Sequence, residues 1–386
     1  MADAVCVGVP DIAQHFEGLE DPRSTVNQLH PLVSVVVVSL MAVLAGANGP
    51  TAIAKWALLK QDLLLRLLPL PNGIPRKDVY RRVLASLKPA AFQACFANWL
   101  QSLREAAQAA GEIEQPILAV DGKTLRRSHN RSKGLGALHS VSVWASDCGL
   151  TLAQVATDEK SNEITAIPEL LKLVDLRGAI ITIDAMGTQT AIAKQIVAGQ
   201  GDYVLALKGN QGNLYQAAVD YIDAQIENDF ADVDSRRHVT VEKGHGRQER
   251  RIAIQMPAPR HLPGFGRWAG LRTIGIVVLL CLRDGKETSE MRYFISSLTL
   301  GVKRFAHAVR SHWGIENSCH WILDLTYRED ESRIRDECLR ENMAWLNRFT
   351  LSLLKQHPSQ DSIIMKRRAC GWSDGFLTEV LTGKES

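Results

Sequence analysis

Two short apolar runs, far apart in the chain, each end in a lone aspartate. Pro116-Ile117-Leu118-Ala119-Val120 leads into Asp121, and Ala179-Ile180-Ile181-Thr182-Ile183 leads into Asp184. Runs of this length and composition read as strands, the second as a central parallel one. In sheets of that kind ligand sites gather at the carboxyl ends of the strands. Each aspartate alone also has a plain reading. Asp121 precedes Gly122, a common turn pair, and Asp184 could cap the helix that follows it.

The pattern around these runs divides the chain. Residues 1–112 read as a helical N-terminal domain, rich in Leu, Ala and Val, with breakers at Gly49-Pro50 and Pro69-Leu70-Pro71-Asn72-Gly73. Ile74 to Leu84 reads as a capped basic helix, a candidate for the groove-entering helix of a helix-turn-helix or else a solvated surface helix. From 113 to 235, strands at 116–120, 139–145 and 151–156 precede alternating helix and strand, with strands at 179–183 and 203–207. Three strands in succession suggest antiparallel pairing, and the later alternation suggests parallel pairing. This order is an RNase H-like α/β layout. Residues 236–300 read as a β-rich insertion. Residues 301–357 read as a helical completion of the core, and 358–386 as a tail without a clear pattern that ends in a frayed 383–386.

A third carboxylate stands out within Phe305–Lys355. At about 100° per residue, Glu316 falls on the same face as Phe305, Val309, Leu323 and Tyr327, with His312 and His320 one turn to either side. A glutamate on a packing face needs a cation, a metal or a proton. The plain alternative is an exposed glutamate on a helix of different phase. Taken together, Asp121, Asp184 and Glu316 could hold two divalent ions, which suits the making and breaking of phosphodiester bonds. Such hard oxygen ligands predict Mg2+, with Mn2+ able to substitute.

Along these residues the chain resembles the DDE transposases of bacterial insertion sequences, and within them the H-repeat-associated group. The likeness rests on Ala119-Val120-Asp121-Gly122-Lys123-Thr124, Ile183-Asp184-Ala185-Met186-Gly187-Thr188-Gln189, the stretch from Asp202 to Gln211, Gly244-His245-Gly246-Arg247 and His312-Trp313-Gly314-Ile315-Glu316-Asn317. Asp21-Pro22-Arg23 adds to it, so it covers nearly the whole chain. The resemblance implies that Asp121, Asp184 and Glu316 are the catalytic triad on an RNase H-like core. It also implies metal-dependent cleavage of element ends and strand transfer into target DNA. Related transposases often carry Tyr-x-x-Arg-x-x-x-Glu-x6-Lys around the glutamate. Here those positions hold Val309, His312, Glu316 and Leu323, so only the glutamate matches.

DNA as partner calls for local basic surface, because the net charge is only +3. Candidates beside the first aspartate are Lys123, Arg126, Arg127, Arg131 and Lys133. Others are Lys208, Asn210 and Gln211, and in the insertion His245, Arg247 and Arg250. His312 joins them if protonated. Trp268 is either a base-stacking aromatic or a core residue. The charged stretch from Asp330 to Glu341, with Arg340, reads as a solvated face. Joining two ends predicts a homodimer on DNA. The rival functions are a nuclease of the same fold that cuts without joining and a decayed, DNA-binding descendant.

The seven cysteines form no CxxC pair, which argues against a zinc ribbon and fits a reducing compartment. The longest apolar stretch, Leu32–Ala45, is short of a bilayer span and reads as a buried helix. With no leader visible at Met1, a cytoplasmic protein without membrane association is expected.

Overall fold

A computed structural model describes residues 9–24, 26, 28–96, 99, 115–129, 134–157, 163–244 and 246–382. The chain begins with helices α1 (Val9–Gln14), α2 (Leu32–Leu44), α3 (Pro50–Leu59), α4 (Gln61–Leu67) and α5 (Lys77–Ser86). Strands β1 (Ile117–Leu125), β2 (Leu138–Ala145) and β3 (Leu150–Thr157) follow. Next come α6 (Glu163–Leu171), β4 (Ile180–Ile183), α7 (Thr190–Ala198), β5 (Asp202–Leu207) and α8 (Gly212–Glu227). Four long strands form the insertion: β6 (Arg236–Gly244), β7 (Arg247–Pro257), β8 (Thr273–Arg283) and β9 (Lys286–Ser296). The chain closes with α9 (Val302–Ile315), a π turn (Glu316–His320), α10 (Trp321–Leu325), α11 (Glu337–Gln356), α12 (Ile363–Trp372) and α13 (Asp374–Thr382). The helix expected over Ile167–Val174 thus starts four residues earlier, with Pro168 inside it.

These elements form two compact units. One comprises Met1–Glu114, Gly122–Lys160 and Glu316–Ser386, and the other Gln115–Asp121 and Ser161–Ile315. The boundaries differ from the sequence-based division because units are set by packing, and the C-terminal helices pack with the N-terminal ones.

In the first unit, α2 is buried almost all round, as a run interrupted only by Ser34 and Ser39 requires. No helix among the described residues is long and apolar enough to cross a membrane. Helix α11 packs on α2, α5 and β3. Phe96 and Phe349 stack with centroids 4.0 Å apart, and Trp345 lies edge-on to Phe96 at 6.1 Å. Asn342 on α11 donates to the carbonyls of Leu84 (2.8 Å) and Leu87 (3.0 Å), satisfying the free end of α5. That helix buries Tyr80, Val83 and Leu84 and turns Lys77, Arg81 and Arg82 to solvent. Arg340, expected on a solvated face, is buried and donates to the carbonyl of Gly136 at 2.7 Å. The segment after His357 is ordered as α12 and α13. Arg367 is the reason: its guanidinium donates to the carbonyls of Thr326 (2.7 Å) and Val43 (3.2 Å) and lies 4.0 Å over the Tyr327 ring.

In the second unit the strands stand in the order β1-β4-β5-β9-β8-β7-β6. The β1, β4 and β5 pairs are parallel, and from β5 onward every pair is antiparallel. The expected parallel strands are therefore present, and in the first unit β2 and β3 pair antiparallel as expected. The insertion continues the sheet through the β5–β9 pair. Helix α9 lies against it by direct ring-on-backbone contact. A Cβ on Gly275 would meet Phe305 at 2.5 Å, and Phe305 stands edge-on to Phe294 at 5.7 Å.

Replacing Arg367 by Ala removes its hydrogen bonds to the Thr326 and Val43 carbonyls and its contact with the Tyr327 ring, and should cost about 2–4 kcal/mol. The denaturant midpoint should fall, with the far-UV spectrum of the folded baseline unchanged.

Candidate active site and nucleic-acid surface

The β1–β4 register places the two aspartates. Val120 pairs with Ile183, so Asp121 and Asp184, each the next residue, stand abreast where the β1–β4 pairing ends; Asp184 follows the last residue of β4, but Asp121 lies in the middle of β1, which runs on to Leu125 instead of ending there as expected. Strands in a parallel pair lie about 4.8 Å apart. Both carboxylates are half-buried. Two like charges so placed repel, and a cation between them relieves that repulsion.

The turn after β4 is fixed from several sides. Asp184 Oδ1 accepts hydrogen bonds from the backbone N–H groups of Met186 (3.1 Å) and Gly187 (3.3 Å), leaving Oδ2 outside both. Asp184 does not cap the helix that follows, whose N-cap is Gln189; one of its oxygens holds the turn and the other lies outside those hydrogen bonds. Gly187 is sterically required, since a Cβ there would meet Ile183 at 2.4 Å and Ile167 at 2.6 Å. The buried Thr188 hydroxyl reaches the carbonyls of Ala206 (2.7 Å) and Asp184 (3.1 Å). The Asn210 amide donates to the Ala185 carbonyl, and the Gln211 amide to the Thr188 carbonyl at 2.8 Å. Asn210 and Gln211, expected to touch DNA, brace this turn through their amides, and Asn210 stays exposed.

His312 also has a different role from that expected. Its Nδ1 is hydrogen-bonded to the Thr182 hydroxyl at 3.0 Å, which ties α9 to β4 two residues before Asp184. Burial pushes its pKa down to about 4, with Arg292 adding to the fall and Asp184 opposing it. A neutral imidazole cannot be the phosphate-binding cation that a protonated His312 would supply. Arg292 lies 3.9 Å over the Trp313 ring and is paired with Glu290 at 2.7 Å.

Glu316 follows α9 and opens the π turn. A π turn bonds residue i to i+5 and rotates less per residue than an α-helix. The buried stripe of Phe305 and Val309 therefore passes to Ile315, Cys319, Leu323 and Tyr327, and Glu316 is exposed. The packing face inferred from an unbroken helix is overturned by that change of pitch.

The remaining cations divide into used and available. Lys123, at 6% exposure, is ion-paired with Asp324 and lies 3.8 Å from Asp330, so its charge is spent inside the protein. Arg126 is 82% exposed beside Asp330 (3.4 Å), and Arg127 is exposed. Lys208 and Arg250 face solvent, while Arg247 pairs with Glu249 at 2.6 Å. Arg131, Lys133, His245 and residues 383–386 lie outside the described residues. Trp268 is a core residue, 5% exposed. Sequence reasoning missed Thr182, Gly187 and Thr188. All three lie within stretches quoted above, but their signal is hydrogen bonding and close contact, which a linear pattern does not carry.

Asp121 and Asp184 present hard oxygen donors suited to a divalent cation. Among the described residues no group of three His, Cys, Asp or Glu side chains is close enough to hold an ion. The pair therefore fits as a two-carboxylate foothold.

Comparison with known proteins shows the family. The Transposase DDE domain profile matches residues 112–353, and a DDE_Tnp_1-associated profile matches 13–100. The chain belongs to the DDE transposase family. It is 35% identical over 378 residues to the "H repeat-associated putative transposase YhhI" of Escherichia coli K12, covering 96% of this chain and 98% of that one. It is 40% identical over 297 residues to the "Uncharacterized protein in dhlA 3'region" of Xanthobacter autotrophicus, covering 75% of this chain and 96% of that one. A piggyBac transposase, solved as a synaptic complex with hairpin DNA, aligns over 98% of this chain and 81% of its own at 10% identity and a TM-score of 0.43, a likeness too slight to locate residues by.

The His312 shift has a pH consequence. Folding holds the imidazole near 4, below its ordinary 6.5, so the unfolded chain binds more protons between those values. The stability it contributes is complete above about pH 6.5 and is lost as pH falls toward 4, by roughly 2–3 kcal/mol at most. Urea melts across this range should show a flatter acid limb for His312→Gln than for wild type.

Proposed function

We propose that this chain is a metal-dependent DNA transposase that cleaves the ends of its own mobile element and joins them to target DNA. The observation that carries the reading is the pairing of β1 with β4, which sets Asp121 beside Asp184. Membership of the DDE transposase family supports it. Asp121 and Asp184 hold the metal, and Glu316, which follows α9 directly in the chain, supplies the third carboxylate. The parallel β1, β4 and β5 and the antiparallel β2–β3 pair are what an RNase H-like core contains. Mg2+ is the expected ion, with Mn2+ as substitute; when bound, it supplies Lewis-acid charge to phosphodiester oxygens and acidifies water.

The chain's own residues then have distinct tasks. Asp184 keeps one oxygen on the turn, so its carboxylate is oriented before anything binds. Neutral His312 holds Thr182, and through β4 the position of Asp184, without adding positive charge that would compete with a cation. Arg126, Arg127, Lys208 and Arg250 take phosphates, and Lys77, Arg81 and Arg82 on α5 take the element end. Two ends must be held together for joining, so the working form is a homodimer on double-stranded DNA in the bacterial cytoplasm.

The test uses labelled DNA carrying the repeats that flank this gene, with Mg2+ or Mn2+. Wild type should yield nicked and joined products. Asp184→Asn and Glu316→Gln should each lower cleavage by roughly 100-fold or more while binding persists. Nicks without joined products would make the protein a nuclease, and binding without products under either metal would make it a decayed descendant. Undiminished cleavage by the variants would remove both residues from the site.

A further inference from the structure

Strand β6 closes the sheet of the second unit, pairing with β7 on one side and with no described strand on the other. Its outer edge therefore presents a row of backbone N–H and C=O groups over the nine residues Arg236–Gly244. Long edges are commonly blunted by bulges, proline or charged side chains along their middle. Here the register with β7 runs unbroken from Arg236 to Gly244. The charged side chains stand towards the two ends, as Arg236-Arg237 and Glu242-Lys243, with His238-Val239-Thr240-Val241 between them.

The two faces of β6 differ. Helix α9 lies against one of them, where Glu242 is 3.3 Å from Arg310 and 3.0 Å from Arg251, and where His238 and Thr240 are half-buried. Val239 and Val241 point to the opposite face and are 38% and 52% exposed. Val239, Ile252, Val278 and Met291 stand in one apolar row across β6 to β9, and Met291 is 56% exposed. An edge with apolar residues at its centre and free backbone groups along its length is a template for another strand.

We propose that β6 is the interface for a second copy of this chain, pairing antiparallel with β6 of that copy about a two-fold axis through Val239. The inference rests on the homodimer of the transposase reading and names its surface. A two-fold axis normal to the sheet keeps each face on its own side, so odd-numbered residues face odd-numbered ones and even face even. Charge then selects the register. Centred on Val239, the pairing sets Arg236 opposite Glu242 twice, His238 opposite Thr240, and Val239 opposite its own copy, with no like charges facing. Centred on Thr240, it would set Arg237 opposite Lys243 twice, and centred on His238 or Val241 it would match no opposite charges within the strand. The chosen register also joins the two apolar rows end to end through Val239. Because each copy uses its one β6 edge, the pairing closes at two copies.

The test oxidises Val239→Cys and Thr240→Cys in the full-length protein, with and without the flanking-repeat duplex. A residue on the axis faces itself at about 4.5–5.5 Å between Cα atoms, within reach of a disulfide. Val239→Cys should yield an intermolecular disulfide dimer well above the background of the seven native cysteines, and Thr240→Cys, which faces His238 of the other copy, should not. Val239→Lys sets two lysines against each other. It should weaken the dimer, measured by sedimentation without DNA, by roughly tenfold or more, with the far-UV spectrum unchanged. Absence of the Val239→Cys dimer under both conditions, equal yield from the two cysteine variants, or a dimer of wild-type strength in Val239→Lys would overturn this interface. None of these readouts requires cleavage, so the interface can fail while the transposase reading stands, and the reverse.

Discussion

The parallel hydrogen-bonded pairing of β1 with β4 is the constraint on which the rest depends. Its register fixes which residues end level with one another, and it sets Asp121 beside Asp184. A slip of one residue would turn every side chain of β4 to the opposite face and carry Asp184 away from its neighbour. The slip is opposed by burial, since all four residues of β4 are enclosed. It is opposed again by the Thr182–His312 hydrogen bond, which ties the strand to α9. Two carboxylates held level by apolar strands put hard oxygen donors side by side, and the proposed cation site rests on that placement.

The turn after Asp184 shows how such a pair is kept from relaxing. Gly187 lets the backbone pass against Ile183 and Ile167, Thr188 bridges two carbonyls, and Asn210 and Gln211 hold the turn from the next strand's end. These are neutral groups. The nearest imidazole is held neutral by burial, and Lys123 spends its charge on Asp324 and Asp330. The positive charge that reaches solvent is carried by exposed side chains such as Arg126 and Arg250, whose removal should disturb the fold little.

Much of this was legible in the sequence. The strand that leads into Asp184, the one that carries Asp121, the buried helix at Leu32–Leu44 and the strand-rich insertion follow from runs of apolar residues whose period decides their structure, but that β1 runs on past Asp121 to Leu125 did not show in the apolar run. The partners of polar side chains were not legible. Lys123 and Arg340 look like surface cations because lysine and arginine usually are, and only the fold shows the acceptors that bury them. Asn210 and Gln211 looked like ligand-binding amides, yet their acceptors are backbone carbonyls distant in sequence. The face of Glu316 was misread because helical phase was carried across a π turn, which leaves no mark in composition. The C-terminal helices were missed because what orders them, Arg367 on the Thr326 and Val43 carbonyls, is a tertiary contact.

The central claim is that Asp121 and Asp184 act as one cation site. Mn2+ binding to the full-length protein without DNA, followed by electron paramagnetic resonance of the free ion, tests it most directly. The account predicts saturable binding that weakens at least tenfold when Asp121 and Asp184 are both changed to Asn, with the melting temperature of the metal-free protein lowered little or not at all. Binding of equal strength and stoichiometry in the double variant would contradict it.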